Sequence, residues 1–199
     1  MSKIILDYSA NTHNNDLRKI TELIKTVKSY DTVKHEIIFK SQLFVSAGAN
    51  VVCTHESFDH MYKTCKDLGY QCTASVFDLD SLCFLLTYDI PFVKIANNKK
   101  LYHLAEDVPK DIEVIASCNV ADYYSNKSPG TTLACVSEYP ASLFDYPRDI
   151  IQLSDHTKGL LLWHKNKPII WEKHIKMPGD TGLDAGPFCI TPEELADIL

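Results

Sequence analysis

Along this chain, short apolar runs alternate with stretches in which apolar residues recur every three or four positions. The runs at Lys3–Tyr8, Thr32–Glu36, Gln71–Val76, Phe92–Ala96, Val114–Cys118, Leu133–Val136, Ile150–Leu153 and Ile169–Trp171 read as strands buried on both faces, the signature of a parallel sheet. Between them, Asp16 opens a helix whose Leu17, Ile20, Leu23, Ile24 and Val27 share one side. His55–Leu68 has the same periodicity through Phe58, Met61, Tyr62 and Cys65, with Gly69 as its stop. Shorter helices are expected at Asp80–Tyr88 and Lys100–Glu106, and Thr191-Pro192-Glu193-Glu194 is a capping box that starts a last one towards Leu199.

Eight strands alternating with helices predict an α/β fold, a (β/α)8 TIM barrel, with an open doubly wound sheet as the alternative. At 199 residues the barrel has to be a reduced one, a single domain over 1–199. The economy falls late: Val120–Thr132, with its Ser128-Pro129-Gly130 turn, and the two connections after it are too short for full helices. Several helices of the second half are therefore expected to be shortened or missing.

Composition narrows the partners. The net charge of −6, without a basic cluster, argues against nucleic acid. No run approaches the roughly eighteen apolar residues of a membrane span, and the N-terminus lacks a signal-peptide pattern. Seven scattered cysteines without a C-x-x-C pair suit reduced thiols, so a cytoplasmic protein is expected.

In a barrel, chemistry sits at the carboxyl ends of the strands. Those positions here carry Asp7, Lys34, Ser75, Lys94 with Asn97, Ser117, Ser137 with Tyr139, Ser154 with His156, and Glu172 with His174; Asp184 follows in a turn. Lys34 and Lys94 interrupt apolar runs, where a solvated lysine fits badly, and two lysines on one rim would receive phosphate or carboxylate. Surface lysines at strand ends are the plainer reading. His156 and His174 are structural histidines if taken singly. On neighbouring strand ends they could hold one divalent metal with positions open for substrate and water.

The order of these strings resembles the sialic acid synthase family, the N-acetylneuraminate, pseudaminate and legionaminate synthases. Ser154-Asp155-His156-Thr157, Glu172-Lys173-His174, Gly182-Leu183-Asp184 and Thr191-Pro192-Glu193-Glu194-Leu195 are similar to its late barrel. Upstream, Asn11 with His13-Asn14-Asn15-Asp16-Leu17 resembles N-H-x-G-D-L, Val33-Lys34-His35-Glu36 resembles V-K-F-Q, and Thr73–Asp78 resembles S-T-P-F-D. Val93-Lys94-Ile95-Ala96 resembles Y-K-I-A-S, Val114–Ser117 resembles V-I-L-S-T-G, and Ser137-Glu138-Tyr139-Pro140 resembles N-x-Y-P.

The resemblance implies metal-dependent condensation of phosphoenolpyruvate with an N-acylated aldose to a nonulosonate, with release of phosphate. It implies a divalent metal, manganese first and magnesium second, on His156 and His174. Catalytic roles fall to Asp7, Lys94 and Asp184, and substrate contacts to Lys34, Asn97, Ser117, Ser137, Tyr139 and Ser154. A homodimer is a further expectation. Departures accompany the match: Asp7 replaces a glutamate, Thr12 is inserted in the loop after it, Asn97 replaces a serine, Asn119 a glycine and Ser137 an asparagine. Lys99 stands where the family has a glutamate linked to proton transfer, and the resemblance stops at Leu199, without the family's antifreeze-like C-terminal domain. A catalytically impaired descendant that binds a sugar, a phosphorylated ligand or a protein, and a barrel aldolase with another acceptor, are the competing readings.

Overall fold

The computed structural model describes residues 1–44, 51–125 and 127–199. Eight parallel strands close on themselves: β1 (Lys3–Asp7), β2 (Glu36–Gln42), β3 (Gln71–Val76), β4 (Phe92–Ile95), β5 (Glu113–Asn119), β6 (Thr131–Cys135), β7 (Gln152–Asp155) and β8 (Ile170–His174). Pairing of β1 with β8, from Lys3 opposite Ile170 to Asp7 opposite His174, completes the barrel and rules out the open sheet.

Alternation along each strand sorts the side chains into two cores. Ile5, Ile38, Phe92, Ile115 and Leu133, with Ile170 against them, plug the inside of the barrel. Ile4, Leu6, Phe39, Ala74, Val93, Leu153 and Trp171 face outward into the layer covered by helices. Six of the eight strands are thus apolar on both faces near their start, β3 and β7 giving nothing to the plug. Two residues further on, the inward positions turn polar.

The helical layer is thick on one side only. Helices α1 (Ala10–His13), α2 (Leu17–Tyr30), α3 (His55–Asp67) and α4 (Leu79–Leu85) follow the first three strands. Asp16 caps α2 by accepting from the Arg18 N–H (2.9 Å), and Ile20, Leu23, Ile24 and Val27 are its buried face, as the spacing predicts. In the turn before α2, Asn15 adopts φ +57° where the resembled motif has glycine; asparagine is the side chain that tolerates this region best. Past β4 the layer thins to a 3-10 segment (Lys99–Asp107), α5 (Val120–Tyr123), a single 3-10 turn (Leu143–Asp145) and α6 (Leu161–Asn166). The final α7 (Pro192–Ala196) keeps its capping box and packs on α2. No helix among the described residues is long and apolar enough to cross a membrane.

One strand expectation fails. The second strand is not Thr32–Glu36 but Glu36–Gln42. After α2, the Asp31 carboxylate accepts from the Val33 N–H (2.8 Å), and Val33 takes φ +60°, so the chain turns here rather than extends. Lys34 consequently lies before β2, exposed, in a cleft with His35, Trp163 and Lys167 at the amino end of the barrel. The expectation that Lys34 belongs to the functional rim is corrected: the lysine delivered by β2 is Lys40.

Candidate active site

A cavity of about 230 Å3 opens at the carboxyl end of the barrel. Its walls are the polar inward positions that follow the apolar plug. Asp7 comes from β1, Lys40 and Gln42 from β2, Ser75 from β3, Lys94 from β4, Ser117 from β5, Cys135 from β6, Ser154 from β7, and Glu172 and His174 from β8. Asn97, Ser137, Tyr139 and His156 come from the loops just beyond.

Its floor is a quartet of opposite charges withdrawn from water. Lys40 donates to Asp7 Oδ2 (2.7 Å) and Ser75 Oγ (3.0 Å), and its Nζ lies 3.1 Å from Glu172 Oε1. Lys94 donates to Ser117 Oγ (2.7 Å) and the Ile95 carbonyl (3.1 Å), with Glu172 Oε2 at 3.5 Å. Gln42 Nε2 donates to Asp7 Oδ2 as well (3.0 Å). All four charged groups are at most 5% exposed, so each ion must be matched by a partner to stay ionised.

The titration of these groups follows from that matching. Burial works to lower the Lys40 ammonium pKa, but Asp7 and Glu172 outweigh it and raise it above the lysine range. For Lys94 burial prevails over the help of Glu172, and its pKa is lowered. Burial works against the Glu172 carboxylate, yet Lys94 and Lys40 pull its pKa below the ordinary range.

Above the quartet stand the two histidines, with ring centroids 5.6 Å apart. His156 Nδ1 donates to the Val136 carbonyl (2.6 Å); this makes Nε2 the nitrogen with a free lone pair. Burial, with His174 adding to it, lowers the His156 pKa to about 3, so the ring is neutral. His174 makes no side-chain hydrogen bond among the described residues; its Nδ1 lies 3.7 Å from Asp7 Oδ2. Asp7 Oδ1 is likewise buried without a partner. Neutral imidazole and unengaged carboxylate oxygen are the donor types a divalent first-row ion accepts. Among the described residues no group of three or more His, Cys, Asp and Glu is arranged to hold a metal ion, so an ion here would rest on the two imidazoles and on ligands that the chain does not supply.

Local structure explains why His156 points inward. The β6–β7 ladder is short, pairing only Ala134 with Leu153 and Cys135 with Ser154. Beyond it the buried Tyr146 hydroxyl takes over, accepting from the Val136 N–H (3.1 Å) and donating to the Ser154 carbonyl (2.9 Å). The Ala141 N–H then donates to the His156 carbonyl (2.8 Å), so the Tyr139 loop folds back and stacks Tyr139 on the His156 ring at 4.0 Å. On the outer face of β7 and β8, Asp155 and Lys173 form a fully buried pair (3.2 Å) braced by Trp171 Nε1 (2.9 Å).

Of the residues picked from sequence, Asp7, Lys94, Asn97, Ser117, Ser137, Tyr139, Ser154, His156 and His174 meet around this one cavity. Asp184 stands outside its lining, accepting from Ser9 Oγ (2.5 Å) in the loop after β1. Lys34 is at the far end of the barrel. Lys99 is largely exposed and paired with Asp122 (2.8 Å) away from the cavity. Lys40 and Gln42 were missed although a signal existed. Phe39-Lys40-Ser41-Gln42 keeps the K-x-Q spacing of V-K-F-Q, and Ile37, Ile38 and Phe39 form a stronger apolar run than Val33 alone.

No protein-family model matches the chain, and no curated protein does. Solved structures do. N-acetylneuraminic acid (sialic acid) synthetase of Leptospira borgpetersenii serovar Hardjo-bovis, solved in complex with citrate, superposes with a TM-score of 0.74 at 24% identity, over 98% of this chain and 80% of that one. A putative spore coat polysaccharide biosynthesis protein E of Chromobacterium violaceum gives 0.72 at 20% identity, over 99% and 72%. A truncated 3-deoxy-D-arabino-heptulosonate 7-phosphate synthase of Thermotoga maritima gives 0.64 at 10%, over 100% and 83%. At these identities the likeness is one of fold: this chain has the barrel that sialic acid synthetase and its structural neighbours share.

Proposed function

We propose that this chain is a reduced member of the sialic acid synthase family that condenses phosphoenolpyruvate and water with the open-chain aldehyde of an N-acylated aldose, giving a nonulosonate and inorganic phosphate. The observation that carries this reading is one cavity floored by two buried lysines and walled by two histidines with unengaged ring nitrogens. The resemblance of the motifs in order along the chain supports it, and so does the shared barrel. The Leptospira synthetase holds citrate, a carboxylate-rich anion; a carboxylate and a phosphate are what Lys40 and Lys94 would receive here.

Two lysines and two carboxylates cancel, so the floor is charge-balanced by itself. A divalent ion held by His156 and His174, manganese foremost, would add the positive charge an anionic ligand needs and polarise the aldehyde oxygen. The remaining work belongs to the chain. Lys40 and Lys94 grip the phosphate and carboxylate, with the Ser75, Ser117 and Ser154 hydroxyls completing their shells. Asn97, Ser137 and Tyr139 at the mouth contact the acceptor, and Asp184 reaches it only if the Ser9 contact opens. Fixed donors on strand ends hold the two reactants in line, so positioning carries much of the rate.

Purified protein with Mn2+, phosphoenolpyruvate and N-acetylmannosamine or related N-acylated aldoses is expected to release phosphate, and His156→Ala to abolish it. A folded protein that releases none with any of these aldoses refutes the synthase reading. The second reading, a descendant that binds without turnover, is favoured by Lys99: a lysine stands at the sequence position of the family's glutamate, and its ammonium is held by Asp122 (2.8 Å). Phosphoenolpyruvate binding without phosphate release is its signature.

A further inference from the structure

The two histidines are held by different means. His156 is aimed by a hydrogen bond from Nδ1 to the Val136 carbonyl, the usual way a protein fixes a ligating imidazole. His174 has no such bond, yet it is buried and faces the same space. Something other than hydrogen bonding must set its ring.

The loop after β8 provides it. Ile175 and Ile190 form a parallel bridge, in which the Ile190 N–H donates to the His174 carbonyl (3.0 Å) and the Lys176 N–H to the Ile190 carbonyl (2.9 Å). The intervening segment is therefore pinned at both ends beside His174. Lys176 Nζ steadies its turn by donating to the Ala185 (2.8 Å) and Gly186 (3.3 Å) carbonyls. Phe188, two residues before the bridge and 4% exposed, meets His174 edge-on at 5.1 Å and Tyr139 edge-on at 5.0 Å. Tyr139 in turn stacks on His156. Gly186 makes room for this: a Cβ there would lie 2.3 Å from Phe188 Cε1.

We propose that Phe188 is a positioning residue for His174, the less tethered member of the histidine pair. Its ring, seated in the notch left by Gly186 and wedged against His174 and Tyr139, takes the place of the missing hydrogen bond and keeps His174 turned towards His156. Edge-to-face contacts of this kind favour one relative orientation of the rings, so they can act on the direction of a side chain as well as on its burial. The metal consequence rests on the proposed function, whereas the ring consequence does not.

The experiment uses the full chain with two readouts. In metal-free protein, long-range 1H–15N spectra of the imidazoles are expected to show one sharp His174 set, broadened or averaged in Phe188→Ala and in the milder Phe188→Leu, whereas the His156 set stays sharp and keeps its tautomer because its Nδ1 bond to Val136 remains. In Mn2+ titrations the same variants are expected to weaken binding about ten- to hundred-fold, the range for losing an outer-shell partner. Gly186→Ala is expected to do likewise, and to add nothing on top of Phe188→Ala because it acts only through that ring. Unchanged His174 signals in folded Phe188 variants overturn the proposal. If the ring result holds but the wild-type chain binds no Mn2+, the positioning role stands and the metal reading falls.

Discussion

At the scale of single residues, Lys40 and Lys34 make the clearest contrast. Both are lysines beside β2, six positions apart, and only folding separates them. Lys40 is 2% exposed between Asp7 and Glu172; Lys34 is exposed before the strand begins. Lys40→Met should leave two buried carboxylates short of a counter-ion, costing about 3–5 kcal/mol in chemical denaturation and weakening phosphoenolpyruvate binding. Lys34→Met should stay within about 0.5 kcal/mol and leave binding unchanged. Equal effects of the two would overturn the assignment of Lys40 to the site. The sequence carries only a weak sign of this distinction, a longer apolar run before Lys40 than before Lys34, because both lysines look like strand ends. The turn made by Asp31 and Val33, which moves the strand downstream, is a matter of backbone conformation.

At the scale of elements, the carboxyl ends of β6 and β7 depend on one side chain. Tyr146 replaces the next rung of a short ladder, bonding the Val136 N–H on one strand and the Ser154 carbonyl on the other. Tyr146→Phe keeps the packing but strands both backbone groups, so a loss of about 1–3 kcal/mol is expected. His156 hangs from the same strand ends, so the Mn2+ affinity that the proposed function calls for should fall along with stability. Retained stability with retained affinity would show that the ladder holds without the hydroxyl. The pattern of apolar runs predicted β1, β3, β4 and β5 to within one residue and β6 and β7 to within two, because their central residues are buried on both faces. It also foresaw the thin helical layer, since the connections after β5 lack the length for full helices. It could not show that a tyrosine in a connecting loop would act as part of the sheet.

At the scale of the whole molecule, stability carries the mark of a buried histidine outside the cavity. His13, 1% exposed and packed on Tyr8 at 4.8 Å, has its pKa lowered to about 4, chiefly by burial. The unfolded chain takes up that proton near pH 6.5 and the folded chain only near pH 4. Stability due to this group is therefore intact above pH 6.5 and drains away between the two values, at up to about 1.4 kcal/mol per pH unit. His13→Asn should flatten the pH dependence of unfolding by that slope in this window; an unchanged slope would mean that His13 titrates normally in the folded chain. Across the molecule as a whole, the order of apolar runs is enough to give eight strands alternating with helices, most of the rim residues and the placing of His156 and His174 on neighbouring strand ends, because a parallel strand buried on both faces leaves a local trace in the chain. Contacts in three dimensions settle the rest: that β1 meets β8 and closes the sheet, that Lys40 and not Lys34 completes the charged floor, that Asp184 and Lys99 stand away from the cavity, and that Phe188 lies against His174. Those outcomes depend on turns, on register around the closed barrel and on a loop folding back across it, and these are contacts between residues far apart in the chain that no local pattern encodes.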